Sequence, residues 1–208
     1  MPVATGQGPA TGNQAGEPPT TSAQAAPNPG AATPSTNGVT QISDIFGPAC
    51  DQVPKQGPGS AQGMVNDPVA TAASNNSLLT TLTKAVKTAN LVDTLNSAPA
   101  LTVFAPSDPA FQQLDAQHPG TVNQLTTALA SPDSKLAKIL KYHVVGQRYD
   151  AAGLVQAGTV ETLARSKIDI GGTPSVPTVN GAQVLCGNIP TENATVFVIG
   201  QVLTPPAT

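Results

Sequence analysis

His118 and His143 are the side chains of this 208-residue chain whose ordinary pKa suits proton transfer near neutral pH. Nucleophilic catalysis needs such a base beside its nucleophile. His118 is followed by Pro119-Gly120 in a polar turn, which predicts exposure to solvent. His143 falls between an apolar helical pattern and "VV", where a core histidine with a hydrogen-bonded ring is the ordinary case. No local cluster pairs two carboxylates for acid–base work. The Gly-rich "GPGSAQG" at 57–63 lacks dinucleotide spacing and does not follow a strand, so no phosphate cradle is expected. The residues predict a non-enzymatic chain without a cofactor.

Cys50 and Cys186 are too few and too far apart in sequence for a metal site. They are either two independent buried thiols or one bridge. Cys50 sits in "FGPACDQVPKQGPG", a Gly/Pro-rich stretch with little core of its own to hold it, and that favours the bridge. A bridge implies an oxidising compartment. Asn75-Asn76-Ser77 and Asn193-Ala194-Thr195 match the glycosylation acceptor pattern, which arises easily in a chain rich in these residues.

The net charge is only -3. Lys135, Lys138 and Lys141 recur at helical spacing, yet no aromatics interleave with them, so they read as a solvated face rather than a nucleic-acid surface. No apolar run approaches the roughly 20 residues of a membrane helix. No leader pattern follows Met1, as in a mature form whose leader has been removed.

The elements that would position these residues begin after a long tail. Residues 1–40 hold seven prolines, six glycines and one charge, Glu17. Such a segment cannot bury enough apolar surface to offset its ordering entropy, so disorder is expected, with a span of about 35 Å as a flexible coil. Residues 41–208 form the expected domain.

"DPVATAAS" opens a short helix, and Ser77 is expected to cap a clearer one carrying Leu78, Leu79, Leu82, Ala85 and Val86 on one face. "NLVDTLNS" repeats the spacing. "LTVFAPSDPAF" reads as strand, turn and helix: Pro106 stops the strand, and Asp108 is placed to cap a helix with Pro109 at its first position. Thr121 caps the next pattern, and "SPDSKLAKILKYH" turns Leu136, Ile139 and Leu140 inward.

Strand-like runs then follow from "HVVG" onward, with a hairpin expected at Asn180-Gly181. Helices first and strands later make an α+β class, in which the early strand pairs with the continuously apolar run 195–203.

Four features in order resemble the fasciclin-like domain. These are "LTVFAPSDPAF", the Tyr-His segment "LAKILKYHVV", the hairpin "VNGAQV" and the closing "ATVFVIGQVLTPP", covering roughly residues 64–206. The lead-in "DPVATAASNN" and the Cys50/Cys186 pair are closer still to secreted and lipid-anchored fasciclin antigens of mycobacteria and related actinobacteria. Gly200 stands where the second signature often carries an aspartate, which bears on one local hydrogen bond.

The resemblance implies a compact β-wedge of two packed sheets, with helices covering one side. It further implies an extracellular or cell-surface module that mediates adhesion to a protein or glycan partner. Its adhesion segment would fall on Ile139, Leu140, Tyr142 and His143. Spacing alone makes Ile139 and Leu140 core residues, while Tyr142 is expected to pack its ring and keep its hydroxyl wet. A monomer is expected, with membrane contact only through a lipid anchor outside this sequence. Two rivals are a structural surface antigen and a carrier of a small apolar molecule in a cleft of the wedge.

Overall fold

The computed structural model describes residues 38–117, 119 and 135–205. Most of the tail, His118 and the pattern starting at Thr121 therefore lie outside the described residues.

Strand β1, Leu101–Pro106, is buried along its whole length, as is β7, Ala194–Ile199. The two run parallel in register, with Phe104 opposite Phe197 and Pro106 opposite Ile199. The expected pairing of the early strand with the last apolar run is therefore present. Pro106 closes the strand, and the chain turns off the sheet after it.

Side chains alternate faces along a strand. Here both faces are covered, so β1 and β7 each feed two cores. Val103, Ala105, Val196 and Val198 pack among the helices. Phe104, Phe197 and Ile199 pack into the other core with Ile168, Val179 and Val184. The period of two thus divides continuous apolar runs between two interiors, as expected for strands buried on both faces.

The remaining strands are β2 (Val144–Val145), β3 (Thr159–Glu161), β4 (Lys167–Thr173), β5 (Val176–Val179) and β6 (Ala182–Pro190). Their order is β2-β1-β7-β6-β5-β4-β3, and a bridge between Val145 and Thr162 brings the two ends together. The wedge is thus one run of strands, nearly closed, whose two halves face each other across the Phe104–Phe197 core. Asn180 and Gly181 both take positive φ, 48° and 80°, which is what a two-residue hairpin between β5 and β6 requires.

Helices α1 (Ala61–Met64), α2 (Val69–Asn75), α3 (Thr80–Thr88), α4 (Val92–Ser97), α5 (Asp108–Gln117) and α6 (Lys135–Tyr142) precede the strand-rich half, where α7 (Ala151–Ala157) follows β2. Two capping expectations need correction. Asn76, not Ser77, caps the turn entering α3, accepting the Leu78 N–H at 2.9 Å. Asp108 does not cap α5, whose first N–H groups bond the Ser107 carbonyl. Its carboxylate instead accepts the Thr81 N–H at 2.9 Å and the Thr80 hydroxyl, capping α3 across the fold. Both helix starts leave N–H groups that an acceptor can satisfy, and tertiary packing decides which one Asp108 serves.

The N-terminus of α2 is likewise capped from afar, by Asn193 Oδ1 on the Val69 N–H at 2.9 Å. The Asn193 amide also donates to Leu95 and Ala98 carbonyls, each at 2.8 Å. Its side chain is fully employed, so this acceptor site is closed in the folded domain. Asn75 is exposed.

A disulfide joins Cys50 to Cys186 on β6, closing a separation of 136 residues. Among the described residues, the Gly38 carbonyl accepts the Thr195 hydroxyl at 2.9 Å. Gly200 donates its N–H to the Gln183 carbonyl at 3.1 Å, so the missing aspartate leaves the strand end paired.

Candidate functional site

Helix α6 carries Leu136, Ala137 and Leu140 inward at helical spacing, with Ile139 half-buried. It delivers Tyr142 and His143 straight into β2, and each is only 2% exposed. The Tyr142 ring packs in the wedge core. Its hydroxyl donates to the Lys167 carbonyl at 3.2 Å and accepts from Asn180 Nδ2 at 2.7 Å. The expectation of a wet hydroxyl is corrected: the turn of the β5–β6 hairpin reaches back and covers it.

His143 ties three segments together. Its Nε2 accepts the Leu203 N–H at 2.9 Å, so Nδ1 carries the proton and donates to the Ile139 carbonyl at 2.7 Å. Its own carbonyl accepts the Phe104 N–H at 2.8 Å. Burial pulls the ring's pKa down from 6.5 to about 4, against the smaller opposing pull of the Ile139 carbonyl. The imidazole is neutral and has both nitrogens bonded, so it is the satisfied core histidine that its neighbours predict.

Three of the four residues of the expected adhesion segment, Leu140, Tyr142 and His143, are therefore buried. Leu140 and His143 instead form part of a wall. Between α2, α3, α4 and the β1–β2–α6 side lies a cleft of about 280 Å³. Val69, Ala70 and Ala73 line it from α2, Leu82 and Val86 from α3, and Val92 and Leu95 from α4. Val103, Phe104 and Val144 close its strand side. The small side chains of "VATAAS" explain the gap, since alanines reach less far than the leucines of α3 and α4 opposite.

Leu163, in the loop after β3, stands at the rim with 38% of its surface exposed. The lining also includes Thr71, Ser74, Thr83, Thr94, Lys87 and Lys141. Among the described lining residues there is no carboxylate. Of the expected binding residues, Leu140 and His143 line the cleft, while its α2 and α4 walls carry none of them. The only available signal was the run of small residues in α2.

Among the described residues, no group of three His, Cys, Asp or Glu side chains could hold a metal ion, and no helix is long and apolar enough to cross a membrane.

Similarity to known proteins agrees with this architecture. The pattern of the fasciclin domain matches residues 77–205. The chain is 44% identical over 172 residues to immunogenic protein MPB70 of Mycobacterium bovis, covering 79% of this chain and 84% of that protein. It is 41% identical over 196 residues to the cell surface glycolipoprotein MPB83 of Mycobacterium bovis, covering 90% and 84%. Among solved structures, a FAS1 domain pair from the insect cell adhesion molecule Fasciclin I superposes with a TM-score of 0.59 at 19% identity. That match covers 68% of this chain and about half, 52%, of the domain pair, and at this identity it speaks for the fold. By sequence match, relatives and fold together, the chain belongs to the fasciclin domain family.

Proposed function

We propose that this chain is an exported, non-enzymatic binding module of the cell surface or its surroundings, and that it binds by taking an apolar group into the cleft between α2, α3, α4 and β1. Export is supported by the Cys50–Cys186 bond, which belongs to an oxidising compartment, and by a relative described as a cell surface glycolipoprotein. The observation that carries the binding site is the cleft: about 280 Å³, with a mainly apolar surface interspersed with threonines, a serine and two lysines, and bordered by an exposed leucine. Concave apolar sites with a few polar groups at their edge are the usual form of a small-ligand site.

Direct adhesion through Tyr142 or His143 is disfavoured by their burial and bonding. Exposing either one leaves buried polar groups unpaired, at about 1–3 kcal/mol each. The segment instead serves adhesion indirectly, by holding the cleft's wall in place.

The test is a titration with N-phenyl-1-naphthylamine, a neutral apolar dye that brightens out of water. Saturable binding of one dye per chain, lost in Ala73→Leu, is the expected result. A linear, non-saturating signal that Ala73→Leu leaves unchanged would sink the cleft as a binding site.

A further inference from the structure

We infer that the cleft's occupant is a single hydrocarbon chain of about a dozen carbons, taken in tail first, with its polar head left in water. This rests on the apolar-cleft reading above and adds what the site selects: chain length rather than head group.

Two observations carry the inference. The first is how exposure divides the lining. Val69, Ala70, Leu82, Leu95, Val103 and Leu140 are buried and apolar, whereas Thr71, Ser74, Lys87 and Thr94 are exposed. The remaining polar groups of the lining are already engaged within the chain. Thr83 donates its hydroxyl to the Ala73 carbonyl at 3.1 Å, and both ring nitrogens of His143 are bonded. Lys141 also has a partner of its own. Even at the exposed edge, Ser74 donates its hydroxyl to the Thr71 carbonyl at 2.7 Å. A sugar, an amide or a charged head drawn inside would give up water without gaining a partner, whereas a methylene only gains by leaving water.

The second observation is size. A dry cavity of roughly 150 Å³ holds one benzene, so 280 Å³ holds about twice as much, near a dozen carbons. One medium-length chain fits that space, and a sterol or a pair of acyl chains does not. A head held outside meets only exposed groups such as Lys87, whose charge is screened by water and salt. Affinity therefore follows the methylenes that enter, and stops rising when the cleft is full.

The experiment is displacement of bound N-phenyl-1-naphthylamine by n-alkyl sulfobetaines of eight to sixteen carbons, each kept below its micelle concentration. Dodecyl maltoside is compared with the twelve-carbon sulfobetaine to vary the head alone. The series is repeated on Val86→Ala, which removes two carbons from the α3 wall, with unfolding midpoints recorded to confirm that the variant folds.

On the parent, each added methylene should tighten displacement about fourfold up to about twelve carbons, and by less than about twofold beyond. Val86→Ala should move that break outward by about two carbons, and the two twelve-carbon heads should agree within about threefold. Displacement that strengthens evenly through sixteen carbons overturns this inference. So does a break that folded Val86→Ala leaves in place, or a tenfold gap between the two heads. Each of these leaves the cleft reading standing, whereas failure of the dye itself to bind the parent overturns both.

Discussion

His143 Nε2 accepts the backbone N–H of Leu203 at 2.9 Å, fastening the chain that leaves β7 to the end of α6. The bond exists only while the ring is neutral, because a doubly protonated imidazole has no acceptor. Folded, the ring titrates at about 4; unfolded, it returns to the ordinary 6.5. Between these values the unfolded chain binds the extra proton and the folded one does not. Stability from this group is therefore complete above pH 6.5 and falls as pH drops toward 4, by about 3 kcal/mol at most. Unfolding midpoints of the parent and His143→Gln across that window check it. The parent should lose its advantage over the variant as pH falls, and a difference independent of pH would contradict the account.

Phe104 and Phe197 face each other across the parallel β1–β7 pair, with ring centroids 5.9 Å apart and both side chains fully buried. Phe104→Ala opens a cavity in the wedge core and should cost about 3–5 kcal/mol in chemical denaturation. A loss below about 1 kcal/mol would mean that the two halves of the wedge do not depend on this contact.

Tyr142→Phe separates the structural reading of its hydroxyl from the solvated one. The hydroxyl is a partner for Lys167 and Asn180, so its removal leaves the Asn180 amide with one acceptor fewer. The expected cost is about 1 kcal/mol, small because the Asn180 turn is partly open to water. An unchanged midpoint would show that the bond to the hairpin contributes nothing.

The disulfide closes most of the domain into one loop. Chain entropy gives about 4–5 kcal/mol as an upper bound for such a loop, and less where the folded state is strained. Protein folded under oxidising conditions and then denatured without reductant should show no reactive thiols. Cys50→Ser/Cys186→Ser should fold with a clearly lowered midpoint, and free thiols in the oxidised parent would refute the bridge.

What could be read from the sequence follows from the range of the interactions involved. The Asn180-Gly181 turn is local chemistry, since two positive φ values select its residue types. The β1–β7 pairing was legible because both strands are buried on both faces and so lack polar alternation. Ownership of Asp108 was not legible. Its position before Pro109 fits a cap of α5, while its partner Thr81 is set by packing between elements far apart in the chain. Asn193 capping α2 is hidden for the same reason. The cleft is harder still to read, because a void is defined by what several elements fail to fill. "VATAAS" shows only that α2 is slim, not what stands opposite it. The Tyr142 hydroxyl was misjudged because the group that covers it belongs to a hairpin turn 38 residues later.

The most direct test of the central claim, that this domain binds through its apolar cleft, is methyl chemical-shift mapping during titration with N-phenyl-1-naphthylamine. The account predicts saturable shifts concentrated on Leu82, Val86, Leu95, Val103 and Leu163, around the cleft, with Ile168 and Val179 in the wedge core unmoved. Shifts centred instead on the exposed Ile42 or Val176, or no saturable shift at any methyl, would contradict it.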